Sequence, residues 1–453
     1  MAVSLLLLAG IGTLVAGMSP NRPLAATGNY TCDELTRWLG TEKHYSNQYK
    51  NNVFELLHGK DCSSRPHLTF RNLQYGCTPG LPVFAEHNKE LPGADASAVL
   101  FLSNFSINNN FSHFLHALLR LFCALIDARW LERLPDGSFA RRRDFSIWVD
   151  EYFKLTEEKR VWIGAMSGGG PIRKLSAPGR GAGAGVGGSC PAAKELIYGS
   201  GCVKLLPPEK WFGYPGCRAN VVLPAFASYY RQVFRAQGPR DFRLIFGGAD
   251  AAHSQLRIVF AVRAAGAATA KTGSRAIANL QALQQEIKRS GRITPALSNV
   301  TYEELSVAAT VQVMAGTHIF VSMHGAGMTN MFFMNGKAAV IEIVPFPLCS
   351  CKSPDYFYGV GSYYHGSAMA QQILHYTYCV PKEHVLWHKK PPAVEDPAVR
   401  CSWRHLHSVE SVFVDPDLFV SLVHKAERDL IAVGTIVLAK PVVSMNVHAN
   451  GRR

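Results

Sequence analysis

Between residues 256 and 344 the chain alternates short apolar runs with helical patterns, and few folds accept that alternation. Leu256-Arg-Ile-Val-Phe-Ala-Val262 reads as a buried strand, and the amphipathic pattern over 275–289 as a helix. A second helix is expected over Tyr302–Met314, with Thr301 and Glu304 in the spacing of a capping box. Strands follow at His318–Met323 and Ala338–Val344, joined by a glycine turn and a short helix beginning near Met328. Strand and helix exchanged at this spacing build parallel βαβ units. Residues 98–153 repeat the pattern more weakly, with strands at Ala98–Leu102 and Phe145–Val149 around a long apolar helix, Phe111–Trp130. Two α/β units on either side of a segment near 236–254 imply two lobes and a cleft.

The resulting division is a leader at 1–26, a first lobe at 27–240, a second lobe at 255–400, and a C-terminal helix and tail at 401–453. Residues 165–189 are rich in Gly, Ala and Pro and are expected to be a flexible surface insertion of the first lobe. Gly183, Gly185 and Gly188 mimic a dinucleotide fingerprint there. The strand before and helix after that such a fingerprint requires are both missing from the pattern, so it is set aside.

Three features agree on a compartment. Residues Ala2–Gly17 carry no charge; as a helix they would reach about 24 Å, slightly short of a hydrocarbon core of roughly 30 Å. That suits a cleaved signal peptide or, extended to Leu24, a retained signal-anchor. Eleven cysteines without a Cys-x-x-Cys pair suit an oxidising lumen. Sequons stand at Asn29, Asn104, Asn110 and Asn299. The expected location is the lumen of the Golgi or endoplasmic reticulum, with membrane contact only through an N-terminal type II anchor. With 47% hydrophobic and 18% charged residues the chain is not disordered overall. The net charge of +14 is spread out except at Arg141-Arg142-Arg143, which argues against a nucleic-acid tract and is compatible with a phosphate-bearing ligand or an anionic surface.

His324-Gly-Ala-Gly327 joins a buried strand to a helix start. Gly325 and Gly327 let backbone approach a ligand, and a helix N-terminus favours an anion. The segment Phe320-Val-Ser-Met-His-Gly-Ala-Gly-Met-Thr-Asn330, followed by Phe332-Phe333 and Ala339-Val-Ile-Glu342, resembles the signature of glycosyltransferase family 61. Arg275-Ala-Ile-Ala-Asn279 resembles the family's Arg-x-Ile-x-Asn, with Arg263 as its upstream arginine, and Asn110-Phe-Ser-His113-Phe-Leu-His116 its Asn-x-x-His helix. The chain departs from the pattern at Ala264–Lys271, which are extra, and at Ala117, where some members carry an acid.

The resemblance implies a GT-B architecture of two Rossmann-like lobes and an inverting transfer of sugar from a UDP-sugar to a hydroxyl of a glycan or glycoprotein. The donor site would comprise Arg263, Arg275, Asn279, His324, Gly325, Ala326, Gly327, Asn330 and Glu342. The arginines would meet the leaving diphosphate and Glu342 the ribose hydroxyls. Alternatives stay open: Arg275 as a helix-start charge, Glu342 as a strand-end residue paired with a base, Asn279 as the anchor of a neighbouring loop. His113 and His116 share a helix face with Arg120 and are the candidates for the base, against a structural role in the core. Asp415-Pro-Asp417 precedes a helix starting near Leu418 and reads as a cap, so no metal or other cofactor is expected. Asn110 would start a cleft-lining helix and is expected unmodified, leaving Asn29, Asn104 and Asn299 as glycan sites. The rival is an inactive lumenal protein that binds glycan or nucleotide through the same fold. The sequence lacks Gly-x-Ser-x-Gly and His-Glu-x-x-His, which leaves hydrolysis without support.

Overall fold

The computed structural model describes residues 68–75, 84–86, 97–101, 111–149, 153–174, 192–198, 219–236, 256–263, 274–290, 295–350, 363–388, 403–435 and 446–447. The chain forms an α/β fold in two compact units: residues 1–203 with 212–218, and 204–211 with 219–453. The leader, the glycines at 183–188 and the sequons at Asn29, Asn104 and Asn110 lie outside the described residues. No helix among the described residues is long and apolar enough to cross a membrane.

The first unit contains β1 (Leu68–Tyr75), β2 (Phe84–Glu86), β3 (Ala98–Phe101), α1 (Phe111–Asp127), β4 (Leu131–Arg133), β5 (Phe139–Arg141), β6 (Ser146–Val149), α2 (Glu157–Ser167), β7 (Ile172–Lys174) and β8 (Ala192–Tyr198). Its six-stranded sheet has the order β2-β1-β8-β3-β6-β7. The four strands β8, β3, β6 and β7 run parallel, and β1 is antiparallel to both its neighbours. Phe114, Leu115, Leu118, Leu119 and Phe122 of α1 are buried, with the Phe114 ring near Phe101 and Phe153.

The expected insertion at 165–189 needs correction at its start. Residues 165–167 end α2, Gly168 terminates it at φ +65°, and Ile172–Lys174 pair in parallel with β6. Glycine there serves a left-handed helix stop, and the composition alone did not separate that use from a flexible linker.

The second unit begins with α3 (Ala219–Val233) and continues through β9 (Arg257–Val262), β10 (Ala276–Ile277), α4 (Leu280–Ser290), β11 (Ala296–Thr301), α5 (Val307–Ala315), β12 (Ile319–Met323), a 3₁₀ helix (Ala326–Phe333) and β13 (Ala339–Pro345). It ends with α6 (Tyr363–Ala370), β14 (Leu374–Val380), β15 (Val385–Trp387), α7 (Trp403–Ser408), β16 (Val409–Val412), α8 (Pro416–Thr435) and β17 (Asn446–Val447). The main sheet, β11-β9-β12-β13-β14-β17, is parallel throughout. All seven residues of β13 are buried, as expected for a parallel strand covered on both faces. A small sheet, β10-β16-β15, stands apart from it.

Three local expectations differ from the structure. The helix expected over 275–289 starts only at Leu280, because Ala276 and Ile277 pair with Ser411 and Val412. The helix expected from Tyr302 is a 3₁₀ turn followed by α5, capped by Ser306, whose hydroxyl accepts from Ala309 N at 3.2 Å. Thr301 makes no side-chain cap bond; it closes the partly exposed strand β11, paired with Val262, which the helical reading passed over. The helix after the glycine turn is 3₁₀ along its whole length.

A disulfide joins Cys349, just beyond β13, to Cys379 on β14, with Cα atoms 5.6 Å apart, and Cys123 is also disulfide-bonded. Both suit the oxidising compartment read from the cysteine count.

Candidate functional site

The chain leaves β9 for β11 on one side, then returns to β12 on the other side of β9. In an open parallel sheet such a reversal opens a crevice at the carboxyl ends of the two strands, where ligands bind. Arg263 follows the last residue of β9 and His324 the last of β12. Continuing the β9–β12 register, in which Phe260 faces Val321, sets Arg263 level with His324. Burial lowers the pKa of Arg263, Glu303 acts in the opposite sense, and a half-buried guanidinium of this kind seeks an anionic partner.

The turn explains its own glycines unequally. Gly325 has φ +152° and ψ −175°, a conformation side chains rarely adopt, and a Cβ there would stand 2.8 Å from Nη1 of Arg275. The Arg275 guanidinium therefore lies against the turn. Arg275 itself has φ +54°, an uncommon backbone for a non-glycine residue. A Cβ at Gly327 would meet nothing within 4 Å among the described residues. Tyr364 Oη donates to the Gly325 carbonyl at 2.6 Å, Asn330 Nδ2 to Gly327 O at 3.0 Å, and Thr329 Oγ1 to Ala326 O at 2.7 Å. The turn is thus tied from within and from α6.

Beneath it, one face of the sheet is polar. Ser322, Glu342 and Thr377 stand opposite one another on β12, β13 and β14, and all three are buried. Glu342 Oε1 is hydrogen-bonded to His324 Nδ1, and Oε2 to His375 Nε2 at 2.9 Å. Burial pushes the Glu342 carboxyl up, but the charge and hydrogen bond of His324, with those of His375, outweigh it and hold the group down at about 2. The His365 ring of α6 lies 5.3 Å from that of His375; burial, then the His375 charge, lowers it to about 4.

The structure therefore gathers Arg275, His324, Gly325, Ala326, Gly327, Asn330 and Glu342 around one turn, with Arg263 beside it in the sheet. Glu342 is fully buried and both its oxygens are engaged by imidazoles, the strand-end pairing weighed against ribose binding in the sequence. Asn279 uses both ends of its amide on Val414, donating to its carbonyl at 2.6 Å and accepting from its N–H at 3.0 Å, so it anchors the chain entering α8. Asp415 accepts from Leu418 N at 3.0 Å and caps that helix. Asn299 is exposed on β11 and accepts from Gln284 Nε2 at 2.6 Å. His113 and His116 are on α1 of the first unit, the former exposed and the latter half-buried. His375, His365 and Tyr364 were missed. The signal for His375 was the period-two pattern of Leu374-His-Tyr-Thr-Tyr-Cys-Val380, which puts His375 and Thr377 on one face of a strand.

The parallel sheet thus has Arg263 at its reversal point and Arg275 against the adjoining turn, a placement chemically suited to an anion. The chain belongs to the family described as Glycosyltransferase 61, whose model matches residues 111–341, just over half of its length. It is similar to the EGF domain-specific O-linked N-acetylglucosamine transferase of Pan troglodytes, 26% identical over 159 residues, covering 33% of this chain and 27% of that protein. The proteins of the same name from Canis lupus familiaris and Rattus norvegicus are 25% and 24% identical over 159 residues, again covering 33% of this chain and 27% of each. The shared stretch thus spans about a quarter of those relatives.

Proposed function

We propose that the protein is an inverting glycosyltransferase of GT-B architecture, taking a UDP-sugar at the 324–327 turn and passing the sugar to a hydroxyl of a glycan or glycoprotein in the secretory pathway. The observation that carries this reading is the Arg275 guanidinium lying against Gly325 at the reversal point of the parallel sheet. In a single in-line displacement the acceptor oxygen attacks the anomeric carbon as the bond to the diphosphate breaks. The leaving group takes the electron pair, and Arg263, Arg275 and the turn stabilise its charge. The hydroxyl proton passes to a base, for which His113 and His116, on one face of α1, are the candidates. Because the arginines supply the positive charge, turnover needs no divalent cation.

The relatives are named for N-acetylglucosamine transfer to EGF domains, so UDP-N-acetylglucosamine is the first donor to try. Thermal shift with UDP, followed by UDP release from UDP-sugars with acceptor in the presence of EDTA, tests the proposal. A shift with release that persists in EDTA supports it. A shift without release from any donor would make the protein a binder, and loss of release on chelation would overturn the metal-free reading.

A further inference from the structure

We propose that Glu342 and His375 are positioning residues that hold His324 as an N–H donor to the phosphates of the nucleotide. The inference rests on the turn being the donor site and concerns the side chains beneath it. Glu342 is fully buried in the middle of β13, and a carboxylate in that place must be matched by positive charge. An ionised carboxylate only accepts hydrogen bonds, so His324 Nδ1 and His375 Nε2 both carry protons. One of the two imidazoles must then hold a second proton to balance the carboxylate.

The surroundings choose between them. Nδ1 of His375 is buried without a hydrogen-bond partner, and a proton there would be a stranded donor. The extra proton therefore belongs to His324. Its Nδ1 is turned back to Glu342, which stands level with Ser322, and this leaves Nε2 on the side of the ring away from the carboxylate. The other polar groups around the unit are Tyr364 and His365 from α6, Thr377 from β14, Ser322 from β12 and the Arg275 guanidinium at Gly325. Arg275, and Arg263 level with His324 beyond the neighbouring strand, are cations that oppose the charge on His324; they act across the turn and the sheet while Glu342 is in direct contact.

This arrangement gives His324 a task that differs from those of the arginines. It adds a donor of fixed direction at the residue preceding the turn.

The test compares UDP with uridine, which lacks the phosphates, by calorimetry on the full chain. Glu342→Gln should weaken UDP about 10–100-fold and leave uridine unchanged, the loss expected of one charge-assisted hydrogen bond. His375→Phe should do the same, while His375→Gln, which retains a donor towards Glu342, should restore most of the affinity for UDP. A merely structural role would lower the melting temperature and shift both ligands together. A wild-type ratio of UDP to uridine affinity in any folded member of this set except His375→Gln overturns the proposal. If Glu342→Gln does not fold, the His375 pair decides. Failure of the wild-type protein to bind UDP would overturn the assignment of the turn itself, a distinguishable result.

Discussion

The two faces of the second sheet are built from the same strands and serve opposite ends. On one face Ile319, Val321, Ile341, Ile343, Tyr376 and Tyr378 join Leu283 and Ile287 of α4 and Phe419, Val423 and Ala426 of α8 in a continuous apolar core. On the other, Ser322, Glu342, His375 and Thr377 lie beneath the glycine turn and α6. Strand periodicity lets one residue serve stability and the next serve the site, each strand contributing to both faces. The two faces should therefore respond to different measurements.

The apolar face should give the largest effect. Phe419 is fully buried against Phe260 and Tyr378, and Phe419→Ala should cost about 3–5 kcal/mol, read as a fall in the urea midpoint. Turnover per folded molecule should hold. A loss of activity at constant stability would mean that this face reaches the site.

The polar end should answer the other way. Arg275→Gly keeps a residue suited to φ +54° and removes the guanidinium, so folding should be retained while turnover falls about 10²–10³-fold. Wild-type turnover in this variant would remove Arg275 from the site.

The smallest effect is on acid stability. His365 is depressed to about 4 from 6.5, and Glu342 to about 2 from 4.5. In both windows the unfolded chain binds more protons than the folded one, so stability declines as pH falls. The His365 contribution is complete above pH 6.5 and lost by about 4; that of Glu342 is complete above 4.5 and lost by about 2. Urea midpoints measured from pH 7 downwards should decline in two stages. The lower stage should be absent from Glu342→Gln, and its persistence there would place the acid-sensitive carboxylate elsewhere.

The buried strands were legible because a parallel strand covered on both faces is a near-continuous apolar run, as at 319–323 and 339–345, interrupted only by Ser322 and Glu342. The cap of α8 was equally legible, since Asp415 acts on its own helix end. Elements whose form depends on distant partners were not. Ala276 and Ile277 look like part of a helix start until Ser411 and Val412 pair with them, and β11 has too few buried side chains to announce a strand. In the site, the glycine turn could be picked out by residue type, and its arginines by the family motif that their segment resembles. The roles of Glu342 and Asn279 could not, because their partners lie in other segments: His375 for the former, Val414 for the latter.

The helix α3 precedes β9 in the chain yet completes the second unit. Arg231 Nη1 donates to the Met334 carbonyl at 2.8 Å, and Phe226 and Tyr230 lie against Phe333, so α3 closes over the end of the 3₁₀ helix that leaves the glycine turn. A fragment cut at Leu256, where the sheet begins, would bare those aromatic rings and lose a support of the turn. One cut at Ala219 would keep them. The smallest piece capable of autonomous folding is thus longer than its sheet, and its natural starting point is a helix that the sequence alone assigns to the preceding lobe.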